Sequence, residues 1–113
     1  MSEKVIKLGE KEVKLQANAF TVLTYEDNFK GRIFLKDIEE FANASSSGRV
    51  PLGLTLKFLW AEAKTADDKI PNLEEFAKQF NIKSIIANAT EVLDLIYEDL
   101  QTTEVKNQTA AEG

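Results

Sequence analysis

Four pairs of adjacent carboxylates, Glu39-Glu40, Asp67-Asp68, Glu74-Glu75 and Glu98-Asp99, are the residues of this chain best suited by type and spacing to do chemistry. Their chemistry would be general acid and base work, which needs two carboxyl groups in a cleft that holds one protonated and the other ionised. The 113 residues include no histidine and no cysteine. That removes Ser-His-Asp and Cys-His nucleophiles, disulfides, imidazole-held iron and the common structural zinc sites. The glycines at 9, 31, 48, 53 and 113 stand singly, so neither a phosphate-cradling loop nor a dinucleotide fingerprint can be built. Asp67-Asp68 beside Thr65 offers oxygen ligands to a divalent cation, but without the spacing of a calcium loop. Each acidic pair falls on the polar face of an expected helix or in a loop, where a carboxylate is solvated rather than tuned. The sequence is therefore expected to carry no catalytic residue, no metal and no cofactor.

The elements that would position any site begin with a hairpin. Residues 4–15 hold two short runs of β character around Gly9-Glu10-Lys11, with Ile6, Leu8, Val13 and Leu15 on one face and Lys7, Glu12 and Lys14 toward water. A lone hairpin is marginal in water, so following helices must cover that face. Asn18 is placed to cap a helix over 19–29, with Phe20, Leu23 and the Val22–Glu26–Phe29 row as its stripe and Tyr25 at the edge. Phe34, Leu35, Ile38, Phe41 and Ala42 mark one face of a second helix over 33–43, opposite Asp37, Glu39 and Glu40. Residues 44–49 are small and polar and read as a flexible loop, after which Pro51 suits the first turn of a third helix.

Residues 52–58 carry both periods. Leu52, Leu54, Leu56 and Phe58 alternate like a strand, whereas Leu52, Leu56, Leu59 and Ala63 mark a helical face. Helix is favoured by the length of the apolar pattern and its Leu, Lys, Ala and Glu content. Leu54, Phe58 and Ala61 then lie on a different face from Leu52 and Leu59, so the helix is either central or partly a docking surface. Trp60, with an indole that tolerates partial exposure, is the preferred partner contact. After a polar break at 65–71, Asn72 and Glu75 resemble a capping box opening a short helix with Leu73, Phe76, Ala77 and Phe80. Ile85, Ile86, Ala89, Val92, Leu93, Ile96, Tyr97 and Leu100 stripe a last helix over about 83–101, and residues 102–113 read as a mobile polar tail. The expected fold is one small, mainly α domain over 1–101, an N-terminal β-hairpin followed by about five helices.

The net charge of −5 repels polyphosphate, and the lysines at 4, 7, 11 and 14 are interleaved with Glu3, Glu10 and Glu12 rather than clustered. Nucleic acid is therefore not an expected partner. No apolar run approaches the ~18 residues of a membrane span, and Met-Ser-Glu-Lys opens no signal-peptide core, so the chain is expected to stay in the cytoplasm where it is made. On that view three Asn-x-Ser/Thr stretches, beginning at Asn43, Asn88 and Asn107, are chance matches.

In order, length and acidity these elements resemble the tail assembly chaperones of long-tailed bacteriophages and related prophages. Val5 to Leu15 is similar to the Lys-rich hairpin with which members open, and Ala19 to Glu26, closing at Phe29-Lys-Gly31, is similar to their first helix. Phe34 to Phe41 resembles the acidic helix, Leu59-Trp-Ala-Glu-Ala63 the central segment, Leu73 to Phe76 the short helix and Glu91 to Ile96 the terminal helix, so that the likeness covers roughly residues 4–101. The resemblance implies a non-enzymatic chaperone of the host cytoplasm. Such a protein binds the tape measure protein, keeps its hydrophobic segments soluble, helps recruit tail tube protein and is absent from the mature virion. It also implies a longer form made by programmed frameshifting, for which the polar tail would suit the junction. The family supplies no invariant residues to carry over. The expected client-binding residues, Leu52, Leu54, Phe58, Trp60 and Ala61, come instead from the surplus apolar face of the third helix, and self-association along the client is expected. The alternatives are a structural tail component retained in the virion, a generic helical interaction module, a carboxylate hydrolase and, last, a DNA-binding regulator.

Overall fold

A computed structural model describes residues 2–112, with side chains for 3–100. The chain forms a hairpin of β1 (Ser2–Leu8) and β2 (Lys11–Ala17), then α1 (Ala19–Asn28), α2 (Phe34–Ser46), α3 (Leu52–Ala66), α4 (Leu73–Ala77) and α5 (Ile82–Glu112). The polar tail expected over 102–113 lies outside the residues whose side chains are described.

The strands run antiparallel, in a register that sets Ile6 against Val13, Lys4 against Leu15 and Leu8 against Lys11. Opposed residues share a face, so Ile6, Leu8, Val13 and Leu15 are buried together as the alternation predicts. Lys4 and Lys11 stand on that same inner face. Each carries its charge past the rim of the core, Lys4 Nζ to Glu91 on α5 at 3.6 Å and Lys11 Nζ to the Gln79 side-chain oxygen at 2.7 Å. Gly9 makes the two-residue turn at φ +69°, a left-handed conformation that costs glycine little.

The inner face of the hairpin rests on α3 and α5, and α1 packs against α3. Asn18 caps α1: its Oδ1 accepts from the Phe20 amide at 2.8 Å while its own amide donates to Thr21 Oγ1 at 3.1 Å. The cap turns Thr21 inward to meet Thr65 Oγ1 on α3 at 2.8 Å, so the buried face of α1 is Thr21, Thr24 and Tyr25. This corrects the expected stripe, for Phe20 and Leu23 are each 54% exposed. Hydroxyls that find partners inside settle the rotation of this helix, and the apolar pair is left outside.

On α2, Phe34, Ile38 and Phe41 are buried as expected, but Leu35 is exposed and Asp37 is buried among them. Asp37 follows Phe34 by three residues and precedes Phe41 by four, which places it on the apolar face by helical geometry. The serine stretch is not a loop from residue 44. It extends α2 through Ser46, where the Ser46 and Ser47 hydroxyls donate to the Ala42 and Asn43 carbonyls and Gly48, at φ +78°, closes the end.

Residues 52–66 are helix, with Pro51 one place earlier than expected, at the N-cap. α3 is the centre of the domain, touching the hairpin and all four other helices. α4 starts at Asn72, whose Oδ1 accepts from the Glu75 amide at 2.9 Å. α5 buries Ile85, Ala89, Val92, Leu93, Leu95 and Ile96 and leaves Ile86 and Leu100 more exposed than the expected stripe. Among the described residues, no helix is long and apolar enough to cross a membrane.

Candidate functional site

The five residues expected to face a client lie in or against the core. Leu54, Phe58, Trp60 and Ala61 are buried, with Phe58 and Ala61 fully enclosed, and Leu52 is half-buried against the core cluster. Phe58 stacks on Tyr25 at 5.0 Å between ring centres and meets Phe34 edge-on at 5.6 Å. The Trp60 indole donates to the Pro71 carbonyl at 2.7 Å and packs against Phe29 at 5.5 Å. The surplus apolar face of α3 thus resolves as centrality, not as a docking surface. A domain of this size encloses the helix because the 67–72 link folds back over it, held by Lys64 Nζ on the Asp68 and Ile70 carbonyls at 2.9 and 2.7 Å.

The carboxylate pairs are not brought together. Glu39, Glu40, Asp67, Asp68, Glu74, Glu75 and Glu98 are exposed and Asp99 is half-buried. Glu74 and Glu75 are paired with Lys78 at 3.3 and 3.8 Å. Among the described residues, no group of three acidic side chains could hold a metal ion, and Asp67 spends one oxygen on the Lys69 amide at 3.0 Å.

The acidic residues in unusual positions are Asp37 and Glu62, both buried and neither part of an adjacent pair. Asp37 accepts from the Tyr25 hydroxyl at 2.5 Å and from Arg32 through two parallel bonds, Nε at 2.9 Å and Nη2 at 3.0 Å. Burial and the adjacent carboxylate hold the Tyr25 hydroxyl above its ordinary range, so it stays protonated and donates. The arrangement ties α1 to the start of α2, where Glu26 also accepts from the Phe34 amide at 2.9 Å. Its work is structural. Glu62 lies in the third turn of α3 with no exposure, and neither carboxyl oxygen has a hydrogen-bond partner. Burial pushes its carboxyl well above the carboxylate range. The signal for Asp37 was its place in the Phe34–Phe41 row, and for Glu62 its place on a helix apolar on several sides.

Among several surface depressions, one of about 230 Å³ lies between α1 and the end of α3, lined by Phe20, Leu23, Thr24, Asp27, Asn28, Lys64 and Asp68. Phe20, Leu23 and Asp27 follow one another at three- and four-residue spacing along one exposed face of α1. Phe20 and Leu23 thus place two half-exposed apolar side chains side by side at the rim of this groove. In class, the molecule is a mainly α domain with an N-terminal hairpin and a buried central helix. Comparison with protein-family models, with curated proteins and with solved structures finds no match.

Proposed function

We propose that this chain is a phage tail assembly chaperone that binds the tape measure protein, keeps its hydrophobic segments soluble and helps recruit tail tube subunits. The observation that carries the reading is the order of elements over residues 4–101. A lysine-rich hairpin, a first helix closing at Phe29-Lys-Gly31, an acidic helix, a central Leu-Trp-Ala helix, a short helix and a long terminal one follow in the sequence on which the family resemblance rests. The physical mechanism is a holdase one: an apolar client stretch is covered by exposed apolar side chains while the acidic remainder keeps the complex dispersed. The contact surface is assigned to exposed residues such as Phe20 and Leu23 rather than to the buried face of α3. In this proposal the protein acts in the host cytoplasm, self-associates along its client and is left out of the finished particle.

The test is co-expression with a tape measure protein. The client is expected in the soluble fraction only when this chain is present, and mass spectrometry of purified virions is expected to find none of it. A client equally insoluble with and without the chain overturns the reading. Recovery of the chain from virions assigns it instead to the structural components of the tail.

A further inference from the structure

We propose that the groove between α1 and the end of α3 is a docking site for a cationic amphipathic helix of a protein partner. The assignment rests on the proposed holdase role and names the chemistry of the segment held. Its apolar part is Phe20 and Leu23, each 54% exposed although neighbouring α1 side chains are buried. With Asp27 they make a row of two turns, the footprint that a helix with apolar anchors at three- and four-residue spacing covers. The cavity of about 230 Å³ is below the ~300–1,000 Å³ typical of small-molecule sites and suits one or two inserted aliphatic side chains.

Charge selects the sign of the partner. Asp27 and Asp68 border the groove and, among the described residues, neither has an ion-pair partner. The one cation of the lining, Lys64, points its ammonium at the Asp68 and Ile70 carbonyls. The groove therefore sets two carboxylates against one ammonium whose donors are already engaged by backbone carbonyls, a net negative lining beside an apolar floor, within a chain of net charge −5. A segment with Leu or Phe anchors flanked by Lys or Arg complements both features, whereas an acidic amphipathic segment would set like charges together.

The probe is a dye-labelled amphipathic peptide of about 18 residues, five helical turns, with leucines at three- and four-residue spacing and lysines elsewhere; its counterpart replaces every lysine by glutamate. Fluorescence anisotropy on the full chain is expected to show saturable binding of the lysine peptide and at least about tenfold weaker binding of the glutamate peptide. Phe20→Ser with Leu23→Ser is expected to weaken the lysine peptide about tenfold or more. Asp27→Asn with Asp68→Asn is expected to weaken it severalfold and to reduce its sensitivity to salt. All four side chains are on the surface, so thermal melts of the variants should overlay that of the native chain. Equal binding of the two peptides, or indifference to both double substitutions, overturns the proposal. So does a concentration-dependent dimer that Phe20→Ser dissolves and that excludes the peptide, which assigns the face to a second copy. The client test is read separately. If the native chain and the Phe20→Ser, Leu23→Ser variant solubilise the tape measure protein equally, the holdase reading stands and the groove assignment falls.

Discussion

Glu62 is the residue where the chain departs most from ordinary core chemistry. A carboxyl with no partner and no exposure is tolerable only while it keeps its proton, because ionising it there would strand a charge without water or a counter-ion. The unfolded chain releases that proton near the ordinary 4.5 and the folded chain only at a higher pH. Above pH 4.5 the folded state thus binds more protons than the unfolded one, and stability falls as pH rises until the folded carboxyl also ionises. The slope is at most about 1.4 kcal/mol per pH unit for one proton. Glu62→Gln cannot ionise, so urea unfolding between pH 5 and 8 is expected to show a flatter dependence for the variant and greater stability than the native chain at pH 8. Parallel curves for the two proteins would sink this account.

At the scale of elements, rotation about the helix axis separates what the sequence shows from what it hides. Hairpin, order of helices and the Asn18 cap are all legible, because alternation and capping are local properties. The facing of α1 is not. Phe20 and Leu23 look like the inner stripe, yet the Thr21–Thr65 contact and the Tyr25–Asp37 bond, to partners 44 and 12 residues away, turn a polar row inward. No window of neighbouring residues contains those partners. The same limit hid Asp37 behind its charge and made α3, apolar on several sides, read as a surface when it is the centre. Because the cap holds α1 in its rotation, Asn18→Ala is expected to cost about 1 kcal/mol, measured by denaturant unfolding. A loss confined to noise would mean that the Thr21 contacts alone orient the helix.

The molecule as a whole is arranged around α3, which packs against the hairpin, α5 and α1. That arrangement predicts opposite outcomes for two sets of aromatic substitutions. Phe58→Ala removes the ring against which Tyr25 stacks and Phe34 and Phe41 pack, and should cost about 3–5 kcal/mol. Phe20→Ser, on the surface, should change stability by no more than about 0.5 kcal/mol. Calorimetry of the two variants decides whether core and contact surface are divided in this way. The hairpin carries a further consequence, for the order of synthesis. It is made before the helices that cover Ile6, Leu8, Val13 and Leu15, and one of these helices, α5, begins only at Ile82 and is tied back by Asn88 to the Lys7 carbonyl. Roughly 70 residues must be made between the turn and that cover, about 4–15 s at ~5–20 residues per second. Within that interval α3 can cover part of the hairpin, but the part that rests on α5 stays open, and the domain is complete only once α5 has emerged.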